Sequence, residues 1–584
     1  MTSGFNEELG SGEAPWALMS AVADLADSGR RSAEDLPDAQ TAFVPLDEVR
    51  LAALRQALRT GDTAVLPEDL AAQVEQVRAR GYEEVRIPGA DGDELDGALW
   101  THPDDAPRPA LVMPSPWVNQ GWTAYTGIAA RFQEWGYHVL AYTTRGFGDS
   151  DGLVETAGDK DITDAGKAVD HLLARLGERV TKVGFLGESY GSGISQMAAA
   201  ADRRVAAVAA LSTWGDMGAA FYENGTRHLA SISALKSSPT PGRLSPDTEK
   251  MFDALLNGGD VGEPLDWAVP RSPASHVEAL NDRGVPVFYV QAWHETIFPV
   301  NQALQLFRSL TGPKRLYLGI GDHTSPELLC LSGVPGDPIL EGLRRWFDRY
   351  LKDEDNGVEN EPRITSEVMH TRVRHTYSDW EDFAGRAQRL YLGAPEAGGR
   401  RGLLGTGRPP SWGLSLQAGG PSTPARAADA VIISGLLERF VLPKRYLTHT
   451  FDQGAAQQHV GIWTTGPADP GGIRLRGTPR LSLNMASSTG MATVVAYLFA
   501  VDPLGGGYII SHAPFTHRDG RAGTPVTAGF DLQSADFFLP AGWRLMLAVD
   551  THDPFYDSAN ESGTVITLTT EDSQASYLDL PVAP

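Results

Sequence analysis

The sequence predicts an α/β chain: a mostly parallel sheet covered by helices over residues 82–358, with a helical cap inserted at about 213–282. A helical extension over 1–81 precedes it, and an all-β sandwich of jelly-roll type over 359–584 follows. Three observations carry this reading. From Tyr82 to Thr213, apolar strand-like runs alternate with runs at helical spacing, as in parallel strands joined by crossover helices. After Thr213 that rhythm lapses for about seventy residues and then returns, the mark of an insertion that covers a site. From about Glu359, strand-like runs follow one another without helices, separated by Gly, Pro and Asp.

The elements follow in order. Leu46, Val49, Leu54 and Leu58 fall at helical spacing, as do Leu70, Val74 and Val77, with Pro67 near the start of the second run and Gly81 at its end. These helices are expected to pack on the main body, a dimer contact or docking surface being the sharper alternative. EEVRIP and ELDGALW flank GADGD as an antiparallel hairpin. ALVM is a buried strand, PSPWVNQGW a loop, TGIAARFQEW a helix and HVLAYTTRG a strand. DAGKAVDHLLARL, KVGFLG, SGISQMAAAAD and VAAVAALS continue as helix, strand, helix and strand. Beyond the cap, VPVFYVQAW and RLYLGIG restore the sheet and EGLRRWFDRYL closes it as an amphipathic helix. RLSLNMA, ATVVAYLFAVD, YIISHAPF, RLMLAVDTHD and TVITLTT are the strands of the β region, and GAPEAGGRRGLLGTGRPPSWG reads as loop.

Composition narrows the function. With 49 Lys+Arg against 74 Asp+Glu, the 584-residue chain carries a formal charge of -25, which disfavours phosphate backbones and anionic membranes. No nucleic-acid or membrane partner is expected; a homo-oligomer is left open. A single cysteine, Cys330, excludes an internal disulfide and a zinc site built on several thiolates. The acidic N-terminus lacks a basic, apolar secretory leader, so a cytoplasmic protein is expected. No metal-ligand cluster, phosphate-cradling loop or dinucleotide fingerprint is present, so neither cofactor nor metal is expected.

The chemistry gathers around GFLGESYGSG. Ser189 lies in Gly187-Glu188-Ser189-Tyr190-Gly191, after a buried strand and before a small-residue helix, the setting of an α/β-hydrolase nucleophile elbow. Serine needs a base within reach and a third group to orient that base. In such folds the partners arrive after later strands, acid first and histidine second. VPVFYVQAW is followed by His294-Glu295 and RLYLGIG by Asp322-His323. Glu295 is therefore the expected acid and His323 the expected base. His294 is the competing base, and Asp322 a loop residue beside the base. Glu188 reads as structural, His138 as a core histidine, and Cys330 as a loop thiol without a partner.

RGFGDSDG (Arg145 to Gly152), GESYG, AWHETIF around Glu295 and GDH at His323, followed by the β region, together resemble the X-prolyl dipeptidyl-peptidase-like serine hydrolases, the family of cocaine esterase and α-amino-acid ester hydrolase. The resemblance runs from about residue 82 to the end. It implies an α/β-hydrolase domain, a helical cap, a jelly roll, and acyl-enzyme chemistry on esters or amides. It also implies an oxyanion hole formed by the Tyr190 backbone N–H and a tyrosine hydroxyl from a Pro-Tyr pair. Here the pair is Pro116-Trp117, so Trp117 supplies an indole N–H in its place, or a backbone N–H nearby serves. The family acid is usually aspartate, where this chain has Glu295. DMGAAFYENG resembles a segment beside the acyl pocket, which makes Trp214, Asp216, Tyr222 and Asn224, with Phe221 and Glu223, candidates for an aromatic wall and an amine anchor. Three readings result: a hydrolase of small esters, amides or short peptides; an acyltransferase using the same acyl-enzyme; and a non-catalytic binding protein that keeps the fold.

Overall fold

The computed structural model describes residues 48–64, 66, 68–79, 81–236, 242–371, 373–418, 439, 445–449 and 456–583. Leu46, Pro67 and the rest of the predicted extension before residue 48 lie outside them.

Among the described residues two helices, α1 (Glu48–Thr60) and α2 (Glu68–Ala79), come first. Leu54, Leu58, Val74 and Val77 are buried in one apolar cluster with Trp100 and Trp122, so the described part of the extension packs on the body of the protein. Ten strands then build one sheet: β1 (Tyr82–Pro88), β2 (Glu94–Trp100), β3 (Arg108–Pro114), β4 (His138–Tyr142), β5 (Val180–Glu188), β6 (Val205–Leu211), β9 (Val287–Ala292), β10 (Lys314–Gly319), β11 (Ile364–Glu367) and β12 (Arg374–Tyr377). Two very short strands, β7 (Tyr222–Glu223) and β8 (Thr226–Arg227), form a separate hairpin. The sheet order is β1-β2-β4-β3-β5-β6-β9-β10-β11-β12. Its interior, from β4 to β11, is parallel, and the outer pairs are antiparallel.

Pleating divides the core between two faces. Along β6, Val208 and Ala210 join the cluster holding Ala165, Ala168, Val169 and Leu172 of α4 (Asp159–Leu176) and Ile194 of α5 (Tyr190–Ala201), whereas Ala207, Ala209 and Leu211 join the opposite one. That second face is covered by α3 (Thr126–Glu134) and the helix Pro338–Leu351. The latter starts where its sequence says it should: Pro338 occupies the first turn and the Asp337 side chain accepts the N–H groups of Ile339 and Leu340. Arg145 is buried and holds both oxygens of Asp164, at 2.7 and 2.9 Å, fastening the loop after β4 to α4.

Among the described residues the cap holds five short helices, Met217–Phe221, Leu229–Lys236, Pro246–Asn257, Gly262–Ala268 and Val277–Arg283, together with the β7–β8 hairpin. The C-terminal region is built almost wholly of antiparallel strands in two sheets, joined where strand Arg386–Leu392 pairs with Arg401–Gly405. The strand Arg401–Gly405 lies in the stretch read from sequence as loop. Its glycines hide it, because it is held by backbone pairing on both sides, with Arg386–Leu392 and with Val460–Thr464. Among the described residues no helix is long and apolar enough to cross a membrane.

Candidate active site

β5 ends at Glu188 and α5 begins at Tyr190, so Ser189 is the turn between them, at φ 52° and ψ -118°. A non-glycine residue there costs about 1–3 kcal/mol and persists only when its surroundings determine it. The Ser189 N–H donates to the Leu211 carbonyl on β6 at 2.9 Å, and its own carbonyl accepts the Ser192 N–H at 3.0 Å. The flanking glycines are required by close approach. A Cβ on Gly187 would stand 2.1 Å from the Gly191 carbonyl oxygen, and one on Gly191 would stand 2.0 Å from that of Pro114.

The loops after β9 and β10 bring the other two groups to this turn. His323 Nε2 lies 2.9 Å from Ser189 Oγ, and Nδ1 lies 2.8 Å from Glu295 Oε1. A carboxylate on Nδ1 fixes the tautomer that leaves Nε2 free to accept the serine proton. The same Glu295 oxygen also accepts the N–H groups of Ile297 at 3.1 Å and Phe298 at 3.2 Å, and this clip holds the longer glutamate in place. All three residues are buried. The competing base, His294, instead points Nε2 at the Ile510 carbonyl, 3.3 Å away in the C-terminal domain.

Four buried carboxyl groups surround the imidazole: Glu295, Glu188, Asp322 and Glu327. Burial alone would lower the pKa of His323, but Glu295, Glu188 and Asp322 together outweigh it and raise the value to about 9. Burial, and then the charge of Glu295, pushes Asp322 up. It accepts the Thr296 N–H and hydroxyl, both at 2.8 Å, so it braces the acid loop. Burial also raises Glu327, to about 8. Cys330 is fully buried in the short helix Leu328–Leu331 that follows the imidazole, and burial pushes its thiol well above the ordinary range.

The expectation for the Trp117 indole needs correction. Its single N–H donates to the Leu235 carbonyl in the cap at 3.0 Å, and the ring packs edge-on against Tyr190 and Phe147. The side chain has no donor left for an oxyanion. The backbone N–H groups of Trp117 and Tyr190 have no acceptor among the described residues.

The cap candidates divide. Trp214 is buried against Phe298, whose ring meets the edge of His323 at 5.5 Å between centroids, and Phe221 also packs on Phe298. Asp216 is exposed and caps the helix Met217–Phe221 by accepting the Ala219 N–H; as an amine anchor it is corrected to a capping residue. Tyr222 and Asn224 belong to the β7–β8 hairpin. Asn224 (φ 49°) and Gly225 (φ 77°) make its turn, and the Asn224 carbonyl accepts the Thr516 N–H of the C-terminal domain at 3.0 Å. Sequence reasoning passed over the partners that meet there. Glu223 accepts from Gln533 at 2.7 Å, and burial raises its pKa to about 8. His228 packs against Tyr556, and His512 bonds the Tyr556 hydroxyl at 2.9 Å. Only the Asn-Gly pair announced any of this.

Comparison with known proteins agrees with that architecture. Residues 91–325 match the family model of the X-Pro dipeptidyl-peptidase (S15 family), and residues 356–579 match that of the X-Pro dipeptidyl-peptidase C-terminal non-catalytic domain. The chain is similar to the acyltransferase drtE of Aspergillus calidoustus, 26% identical over 271 residues that span 40% of this chain and 85% of the relative. Among solved structures it is similar to a CocE/NonD family hydrolase from Staphylococcus aureus, with a TM-score of 0.66, 13% identity, and coverage of 86% of this chain and 94% of the other. It is also similar to an α-amino acid ester hydrolase, with a TM-score of 0.61, 18% identity, and coverage of 86% and 96%. At such identities the structural likeness is one of fold.

Proposed function

The chain belongs to the X-Pro dipeptidyl-peptidase (S15) family, and from that premise we propose that it is a serine hydrolase that cleaves an ester or amide of a small acyl or aminoacyl group through an acyl-Ser189 intermediate. The observation that carries this reading is the unbroken line from Ser189 Oγ through the His323 imidazole to Glu295, at 2.9 and 2.8 Å.

In the proposed reaction His323 Nε2 takes the hydroxyl proton as Ser189 Oγ bonds to the substrate carbonyl carbon. Glu295 holds the resulting imidazolium. The backbone N–H groups of Tyr190 and Trp117 receive the oxyanion, each such donor contributing about 2.7–4 kcal/mol to the barrier. The Nε2 proton then passes to the departing alcohol or amine, and water, deprotonated by the same imidazole, releases the acid. Phe298, Trp214 and Phe221 offer an apolar wall for the acyl group. The single cysteine, which forms no disulfide, fits a cytoplasmic setting.

A relative named as an acyltransferase favours a second outcome of the same covalent step, transfer of the acyl group to an alcohol or amine instead of water. The test is a fluorophosphonate probe followed by a panel of p-nitrophenyl esters, aminoacyl-p-nitroanilides and X-Pro amides, with mass spectrometry of the acylated enzyme. A phosphonate adduct on Ser189, absent from Ser189→Ala, is expected. Folded protein that takes up no adduct would return the chain to the binding-protein reading, and acyl product on an added amine in preference to water would select the transferase.

A further inference from the structure

Glu188 occupies the variable position of the elbow, at the end of β5, and is buried. Its Oε1 lies 3.7 Å from His323 Nε2, the nitrogen that faces Ser189 Oγ. The Thr324 hydroxyl donates to that same Oε1 at 2.6 Å. Glu295 is on Nδ1, so the imidazole has a carboxylate at each edge.

The backbone around Thr324 reinforces the point. Thr324 has φ 66°, an outlier for a β-branched residue. Its N–H donates at 3.0 Å to Ser212 Oγ, and Ser212 is itself at φ 42°. Strain of this kind clusters where a side chain must be aimed, and here it aims a hydroxyl at Glu188.

We propose that Glu188 is a positioning residue for the Ser189–His323 pair: a second carboxylate on the proton-accepting edge of the imidazole, kept on target by Thr324. The inference rests on the reading of Ser189 and His323 given above. As the Ser189 proton moves to Nε2 and the Oγ–carbon bond forms, positive charge appears on the ring. Glu188 stabilises that charge from the Nε2 side, as Glu295 does from Nδ1. It takes no proton and forms no bond, and the Nε2 proton still leaves with the alcohol or amine. The groups facing the pair are Glu295 and Asp322 on the imidazole side, and Glu327, Glu295 and Tyr125 on the Glu188 side. Burial and Glu295 oppose ionisation of Glu188, and His323 and Thr324 favour it.

The experiment is the rate of fluorophosphonate labelling of Ser189 measured against pH, which needs no knowledge of the natural substrate. In Glu188→Gln the acid limb, which reports the imidazole, is expected to move down by about one pH unit, since an opposite charge nearby shifts a pKa by one unit or more. The plateau is expected to fall about tenfold, the same change expressed as a rate. Thr324→Val is expected to move the limb in the same direction by less. Acid limbs that coincide with wild type in both variants would overturn the proposal and leave Glu188 a packing residue. Should Glu188→Gln fail to fold, by circular dichroism and thermal melting, the limb of Thr324→Val decides alone. Wild-type protein that fails to label would sink the hydrolase reading itself, whereas labelling with unmoved limbs sinks only the role of Glu188.

Discussion

Ser189, in the proposed reaction, gives its proton to an imidazole whose pKa stands at about 9. Below that value the resting ring is protonated and cannot accept, so activity is expected to climb as pH rises toward 9 and then level, which a pH–rate profile will show. His323→Ala should cost roughly 10⁶-fold in turnover and Glu295→Gln roughly 10⁴-fold, because the three groups act as a unit; a His323 variant with wild-type rates would point to another base. These residues were legible in the chain because each follows its own strand, in the order the fold demands. The fate of Trp117 was not legible. Its acceptor is the backbone carbonyl of Leu235, 118 residues away, and a carbonyl has no letter in the sequence. Trp117→Phe is expected to lower stability by about 1–3 kcal/mol, by stranding that carbonyl, while leaving the labelling rate of Ser189 within about twofold. A drop of a hundredfold or more in that rate would restore the indole as an oxyanion donor.

The β7–β8 hairpin shows how a local signal can be read and still be misassigned. Asn-Gly favours the turn in which both central residues have positive φ, and Asn224 and Gly225 have it. The same letters read as a pocket wall, since nothing nearby in the chain says that the hairpin's partner is a strand in another domain. Gly225 has a second constraint, because a Cβ there would lie 2.6 Å from the Thr516 carbonyl oxygen. Gly225→Ala therefore combines backbone strain with a clash and is expected to cost about 1–3 kcal/mol, read as a lower midpoint in denaturant. The strand Arg401–Gly405 was missed for the converse reason. A strand held by backbone pairing on both sides needs no alternation of side chains to declare itself.

At the scale of the molecule, the division into an α/β body, a cap and a β region was visible in the changes of periodicity, but its boundary at 359 fell too early, since β11 (Ile364–Glu367) and β12 (Arg374–Tyr377) pair into the α/β sheet, and the joint between cap and β region was not visible. Beside the hydrogen bonds and ring contacts of the hairpin, that joint holds an ion pair. Asp557 accepts from Arg227 of the cap at 2.5 and 3.0 Å and from Arg518 at 2.7 Å, partners far apart in the chain and spaced by no rule. Burial works against ionisation of Asp557, but the two guanidinium groups outweigh it and hold its pKa below the ordinary value. A depressed carboxylate stabilises the fold above its unfolded pKa of about 4 and loses that contribution as pH falls through the lower folded value. Asp557→Asn is expected to cost about 3 kcal/mol at neutral pH, by leaving the buried Arg227 and the partly exposed Arg518 without their carboxylate. The gap in melting temperature from wild type should narrow below pH 4, and a gap independent of pH would assign the loss to packing. Cys330 offers a way to watch such loosening. The only sulfhydryl in the chain is sealed within the segment that carries the imidazole, so a maleimide dye cannot reach it until that segment opens. The dye uptake rate is thus a built-in clock for how often the base leaves its post.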